Sequence, residues 1–310
     1  MEDNKRNRQI ITDDLCDTVF FSSLLNLKSA SYDYSLSSVI LKNFVSDIKE
    51  ALEPDYKYNE LRNTNDIWAR DYMPIQIFED KFFNYRYFPD YLREKKEDEK
   101  SITDFRNVNF NFDLKGYNPT NIGNIIADGG NIVKCDNFII MTQKVFGELD
   151  NIIGGMSLDK LREEIGTDVV IIPSDSEDRF GHADGMVRYV KPGTILLRAA
   201  QDEEDTKFLD RVEKAITNQK PGVKVKRLNL PYINNQEDSV RKHNWCYINF
   251  LRIGNKILLP HLGTTDDELV MDQFHIHFKG CDIKPIYMLP IVEAGGGALN
   301  CLSWTVKRKS

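Results

Sequence analysis

The sequence predicts an α/β protein. Short apolar runs of strand character alternate with amphipathic helical stretches along the whole chain. The alternation recurs as strand–strand–helix–strand roughly every 55 to 65 residues, longer than a solenoid repeat. No linker rich in Pro, Gly or Ser divides it, so residues 1–310 are expected to form one domain. A doubly wound sheet and a radial array both satisfy this periodicity.

Thr18 to Ser22 reads as the opening strand. Ser35 to Leu52 follows as an amphipathic helix, with Val39, Ile40, Phe44, Ile48 and Leu52 on one stripe and Pro54 beyond its end. Ile67 to Phe78 and Lys81 to Phe88 are strand-like, joined by the turn at Glu79-Asp80. The charge run from Arg93 to Lys100 is a solvated loop or short exposed helix, inside a weaker helical signal around residues 90 to 106. Ile122 to Ile126 and Phe138 to Thr142 are short strands around the Asp128-Gly129-Gly130 turn. Leu158 to Ile165 is a helix stopped by Gly166, and Val169 to Ile172 a buried strand. Strands at Thr194 to Arg198 and Val223 to Leu230 enclose a helix from about Asp202 to Asn218, whose acidic first turn suits the helix dipole. Tyr247 to Leu251 and Lys256 to Leu259 pair across Gly254-Asn255. The last helix opens with the capping box Thr265-x-x-Glu268 and stops at Gly280; Ile286 to Leu289 and Leu299 to Val306 close the chain.

A net charge of −7, with basic residues scattered rather than striped, argues against a nucleic-acid partner and is compatible with a cationic substrate. No apolar run reaches the length that spans a bilayer, so no membrane association is expected. The first eight residues are polar and lack the pattern of a signal peptide. Five cysteines, an odd number without a Cys-x-x-Cys, read as reduced thiols, and the expected location is the cytoplasm.

Cys301 stands behind Gly295-Gly296-Gly297, where the chain can pass close to a ligand. A thiol packed as a small hydrophobe needs no such approach. His182 and Asp184 sit in Gly181-His182-Ala183-Asp184-Gly185, and on extended backbone positions i and i+2 face one cleft. Asp71 ends Trp68-Ala69-Arg70-Asp71, where period two would turn Arg70 to the opposite face. Asp128-Gly129-Gly130-Asn131 is no dinucleotide fingerprint and reads as a turn. His275 and His277 fall within a helix and diverge by about 200°, so they cannot share a metal ion.

A thiol, a histidine and two carboxylates suit chemistry on a guanidinium. That group is planar, permanently charged and a poor electrophile. Two carboxylates bracket its N–H fork, a thiolate adds to its carbon, and the histidine protonates departing ammonia and later deprotonates water. Cys301, His182, Asp71 and Asp184 supply this set, which calls for no metal or organic cofactor.

Five segments, Trp68-Ala69-Arg70-Asp71-Tyr72-Met73-Pro74, Asp128-Gly129-Gly130-Asn131, Gly181-His182-Ala183-Asp184, Tyr247-Ile248-Asn249-Phe250 and Gly295-Gly296-Gly297 to Cys301, occur in the order found in the agmatine deiminase and bacterial peptidylarginine deiminase family, which the chain resembles. The resemblance implies a pentein fold, a five-bladed pseudo-symmetric α/β propeller around a polar funnel. It implies Cys301 as nucleophile, His182 as acid/base, Asp71 and Asp184 as the guanidinium clamp, and Trp68 and Asn249 beside the substrate. Asp128 replaces the usual glutamate and is given a supporting role; Asn300 stands where agmatine deiminases place a histidine. Homo-oligomers are frequent in the family.

The expected activity is deimination of a guanidine compound, agmatine first, to N-carbamoylputrescine and ammonia through a cysteine thiouronium. Another guanidine or peptidyl-arginine, an amidinotransferase and a dihydrolase use the same residues. A cysteine peptidase or a non-catalytic guanidinium-binding protein are the readings from other classes.

Overall fold

The computed structural model describes residues 8–26, 38–233 and 239–308. Fourteen strands lie within them: β1 Thr18–Ser22, β2 Tyr58–Leu61, β3 Ile75–Phe78, β4 Lys81–Phe83, β5 Val133–Lys134, β6 Phe138–Thr142, β7 Asp168–Ile172, β8 Val187–Lys191, β9 Thr194–Leu197, β10 Lys224–Arg227, β11 Leu251–Ile253, β12 Lys256–His261, β13 Asp282–Tyr287 and β14 Ser303–Val306. They form five separate small sheets rather than one doubly wound sheet.

Three sheets repeat one unit. In β5-β6-β7, β8-β9-β10 and β11-β12-β13 the first two strands pair antiparallel and the last two parallel. A parallel pair needs a crossover, and helices supply it. Glu203–Gln219 joins β9 to β10, Asp266–His277 joins β12 to β13, and three helices ending with Leu158–Ile165 join β6 to β7. The fourth sheet, β14-β1-β2, has the same pattern with the helix Ser38–Leu52 as its crossover. Its first strand comes from the far end of the chain, so the C-terminal segment completes the sheet that the N-terminal one begins. The fifth sheet is the β3-β4 hairpin.

Some local expectations hold. The helix expected from about Asp202 runs Glu203–Gln219 with Glu203, Glu204 and Asp205 in its first turn, and Gly166 ends Leu158–Ile165 with φ +88°; Asp202 also caps its helix, accepting from Asp205 N at 2.8 Å. Others change where tertiary contacts outweigh local pattern. The first helix begins at Ser38, and positions 35–37 lie outside the described residues. Its buried stripe is Leu41, Phe44, Val45, Ile48 and Leu52, whereas Val39 and Ile40 are exposed. The stretch 67–78 is not one strand. Ala69–Tyr72 forms a single helical turn, with the Tyr85 hydroxyl 2.7 Å from the Asp71 carbonyl and 2.9 Å from that of Met73, and β3 begins only at Ile75.

Residues 90 to 106 hold three short 3-10 turns in place of a helix. Residues 122–126 make a single bridge among the described residues, Ile126 with Arg86, and the Asn151 side chain takes up the other edge, accepting from Ile126 N (2.9 Å) and donating to Ile126 O (2.7 Å). Tyr247 and Ile248 end a long 3-10 turn, Arg241–Ile248, whose last three residues are all buried, so no alternation exists there. Thr265 makes no cap; Asp267 instead accepts from Leu262 N at 2.9 Å and Thr264 N at 2.6 Å. No helix among the described residues is long and apolar enough to cross a membrane.

The first strands of three sheets each carry a buried cation: Lys134 in β5, Arg188 in β8 and Arg252 in β11. Asp13 meets the first two, its carboxylate 2.8 Å from Arg188 and 3.5 Å from Lys134, and also accepts from Thr305 of β14 at 3.3 Å. Burial alone would raise the Asp13 pKa, but Lys134 and Arg188 outweigh it and hold the group well below the carboxylate range. Its stabilising contribution is therefore present above the ordinary carboxylate pKa and fades as pH falls toward the depressed folded value. Asp13→Asn should cost about 3 kcal/mol in urea unfolding at pH 7, because two buried cations lose their counter-charge. A loss below about 1 kcal/mol would mean solvent already screens them.

Candidate active site

Cys301 is delivered by the helix Leu289–Gly295 and the turn behind it. Gly296 terminates that helix in the left-handed region, φ +69°, which a side chain would resist. At Gly297 a Cβ would stand 2.4 Å from the Trp68 ring, so only glycine lets the indole lie on the backbone here. The glycine run thus serves close approach, as expected, but the approaching group is an aromatic wall of the cleft.

Three hydrogen bonds to Asn249 and Arg70 then hold the backbone of Asn300 and Cys301. Cys301 N donates to Asn249 Oδ1 at 3.2 Å, Asn300 N to Asn249 O at 2.9 Å, and Arg70 N to Cys301 O at 3.0 Å. Asn249 also donates to the Asp184 carbonyl at 3.4 Å. Its side chain is a brace for the cysteine as well as a cavity wall.

Asp71, His182 and Asp184 converge on Gly130. A Cβ there would lie 2.6 Å from His182 Nδ1, 2.7 Å from Asp71 Oδ1 and 3.3 Å from Asp184 Oδ1. The bare amide donates to Asp71 Oδ1 at 2.9 Å, and His182 Nδ1 is 3.7 Å from the same oxygen. His182 caps a 3-10 turn, Ala183–Gly185, so its pairing with Asp184 arises from a tight turn rather than from an extended strand. Asp184 Oδ2 accepts from Asn300 Nδ2 at 2.6 Å and lies 3.7 Å from Cys301 Sγ. Arg70, which turns away from this cleft, donates to Asn300 Oδ1 at 3.1 Å and to Thr305 at 3.2 Å.

Asp128 has a larger part than the sequence indicated. Its Oδ2 lies 2.8 Å from His182 Nε2 and also accepts from Lys144. The turn after it, Gly129–Asn131, places Gly130 in the cleft. Lys144 and the role of Asn300 were missed. The Lys144/Glu148 spacing signals only a helical ion pair, and nothing near Lys144 in the chain points to Asp128.

The electrostatics follow from burying this set together. Burial drives Asp71 up to about 7, with His182 opposing the rise. Burial works against a charged His182, yet Asp71 and Asp128 outweigh it and push the imidazole up to about 9. Asp128 is held well below the carboxylate range because Lys144 and His182 overcome its burial. Burial, then Asp184 and Asp71, raise the Cys301 thiol well above its ordinary value. The cleft therefore favours a protonated thiol beside its carboxylates. A planar cation between Asp71 and Asp184 would oppose that preference.

Two cavities meet at Cys301, His182 and Phe180. One, of about 720 Å³, is walled by Trp68, Asp71 and Tyr91; the other, of about 910 Å³, by Asp184, Asn249 and Glu293. Phe180 lies over Gly296 at their junction.

A profile of the family described as Porphyromonas-type peptidyl-arginine deiminase matches residues 37–306. A Listeria monocytogenes protein named as a candidate agmatine deiminase 1 is 23% identical over 150 residues, an alignment spanning 41% of this chain and 41% of that protein. The chain thus aligns with less than half the length of the curated relatives it matches. Among solved structures, the agmatine deiminase of C. jejuni superposes with a TM-score of 0.68 at 18% identity, covering 97% of this chain and 96% of that one. The Enterococcus faecalis agmatine deiminase gives 0.67 at 13% identity, covering 99% and 98%. At these identities the likeness establishes the α/β fold.

The convergence on Gly130 is testable without a substrate. Gly130→Ala should destabilise the protein by about 1–3 kcal/mol, since His182, Asp71 or the backbone must move. Gly147→Ala, where an added Cβ meets nothing within 4 Å, is the control and should not destabilise. Equal stability of the two variants would mean the three side chains are less closely gathered.

Proposed function

The chain belongs to the Porphyromonas-type peptidyl-arginine deiminase family, and on that premise we propose that it is a hydrolase deiminating a small guanidine compound, with agmatine the first candidate. The observation that carries this reading is the gathering of His182, Asp71 and Asp184 about one glycine with Cys301 beside Asp184, in a cleft whose burial and negative charge disfavour a thiolate until a cation enters.

In this reading Asp71 and Asp184 bracket the guanidinium fork, and its charge lowers the thiol pKa, so that the thiol gives up its proton to solvent and Sγ attacks the central carbon. The C–N bond of an unsubstituted amino group breaks as His182 transfers a proton to it, releasing ammonia and leaving a thiouronium on Cys301. His182 then takes a proton from water and the hydroxide adds to the same carbon; the C–S bond breaks, the hydroxyl proton returns to the departing sulfur, and the ureido product leaves. His182 Nε2 is held by Asp128, so Nδ1, which faces Asp71, is the atom that exchanges the proton. Trp68 and Asn249 flank the substrate.

A cationic tail is favoured by the larger cavity, whose lining has eight carboxylates to four Lys and Arg side chains. That balance supports agmatine over arginine or a guanidino acid. The same premise reads the five sheets as blades of a pentein-type, five-bladed α/β propeller. The repeated unit and the sheet shared by both ends of the chain support it.

Ammonia release and ureido product formation should be measured against agmatine, arginine, arginine peptides, methylated arginines and guanidino acids. Cys301→Ala and His182→Ala should each lower kcat by at least about a thousandfold while remaining folded. Retained turnover in either would remove its assigned role. Because Asp71 must ionise to clamp a cation, kcat/KM should fall as pH drops below about 7. An acidic limb that persists unchanged in a residually active Asp71→Asn variant would assign it to another group. Silence across the panel would overturn the deiminase reading.

A further inference from the structure

The chemistry above leaves Lys144, a half-buried cation bonded to Asp128 beside the site, without a task. Lys144 opens the short helix Lys144–Gly147 directly behind β6. Its ammonium donates to Asp128 Oδ2 and, at 2.8 Å, to Glu148 Oε1, and stands 5.3 Å from the centre of the Tyr91 ring. Asp128 Oδ2 is therefore shared by Lys144 and His182, whereas Asp128 Oδ1 has no hydrogen-bond partner. The backbone fixes this placement. Lys144 N donates to Ser174 Oγ at 3.1 Å, and the Thr142 hydroxyl donates to the carbonyl of Gly181, the residue before His182, at 2.8 Å.

A histidine that acts as acid and then as base passes through its neutral form. While His182 is an imidazolium, it balances Asp128. When it is neutral, that charge is gone, and a buried carboxylate with no other cation draws the proton back. An ammonium permanently bonded to the same carboxylate oxygen removes this pull.

We propose that Lys144 is a positioning residue of the deimination: a fixed counter-ion that keeps Asp128 ionised while His182 is neutral, so that His182 can deprotonate water. The proposal rests on the deiminase reading. The groups around His182 are the carboxylates of Asp71, Asp128 and Asp184, the Cys301 thiol and the rings of Tyr91 and Phe180. Those around Lys144 are Asp128, Glu148 and Tyr91, with Asp90 and Arg93 beyond Glu148. Lys144 works against protonation of His182, whereas Asp71 and Asp128 favour it. Loss of the ammonium therefore makes the imidazole hold its proton to higher pH.

The test follows the His182 imidazole by NMR across pH in the full chain, its signal assigned by its absence from a His182→Gln variant. Native protein is compared with Lys144→Met, Lys144→Gln and Lys144→Arg. The two neutral variants should titrate higher by about one pH unit, and Lys144→Arg should titrate as the native protein does. In turnover, the neutral variants should lose about ten- to a hundred-fold in kcat with little change in KM, and the pH limb for the neutral histidine should move up with the titration. Lys144→Arg should restore both. An unmoved His182 midpoint in either folded neutral variant overturns the counter-ion role, as does a Lys144→Arg midpoint displaced like theirs. If one neutral variant does not fold, the other decides. A native protein inactive on every guanidine overturns the deiminase reading instead, and the NMR comparison still decides whether Lys144 governs His182.

Discussion

One amide side chain, Asn300, joins two bodies of buried charge. Its carbonyl accepts from Arg70 at 3.1 Å and its NH2 donates to Asp184 at 2.6 Å. Because one partner is a cation and the other an anion, a single orientation of the amide satisfies both. A buried network of this kind is strong when complete and costly when broken. The neighbouring backbone is as closely held, with Asn249 accepting from the amides of both Asn300 and Cys301. The position of the thiol relative to Asp184 follows from these bonds. The histidine expected at this place would carry different hydrogen-bonding groups, and the Arg70–Asp184 link would not form in the same way.

On the Arg70 side, cations from the first strands of separate sheets face Asp13, which Thr305 links to Arg70. On the Asp184 side, carboxylates are in surplus over His182 and Lys144. Charges buried in a low-dielectric interior must answer one another, so the sheets are tied together by electrostatics as well as by their apolar packing. Burial, with the neighbouring carboxylates adding to it, raises both the Cys301 thiol and Asp71. In the proposed reaction a guanidinium would oppose both shifts at once, which would make the charge of the substrate a component of the site.

The glycines show how far local chemistry can be read. Gly295-Gly296-Gly297 marked Cys301 because glycine permits close approach. The structure gives that approach a partner, the Trp68 ring, which no spacing in the chain announces. Gly130 had been part of a turn, and only with three side chains from other segments around it does the missing Cβ become a requirement. Asp71 was legible as a residue type in a suggestive motif, but its surroundings turned out helical rather than extended. Tyr85, fourteen positions away, supplies hydrogen-bonding capacity that local pattern does not register.

The sequence by itself determined the α/β class, the main crossover helices with the stop at Gly166, and which thiol, histidine and carboxylates to look for in one cleft. These depend on periodicity and residue chemistry over a few neighbouring positions, which the order of residues records directly. Tertiary structure decided that the strands form five small sheets, that the chain's two ends share one of them, and that Asp128, Lys144 and Asn300 belong to the site. Those outcomes depend on which buried charges meet across separations of tens to hundreds of residues. Such meetings are settled by packing and by the cost of leaving a buried charge unanswered, and neither is a property of any short stretch of chain.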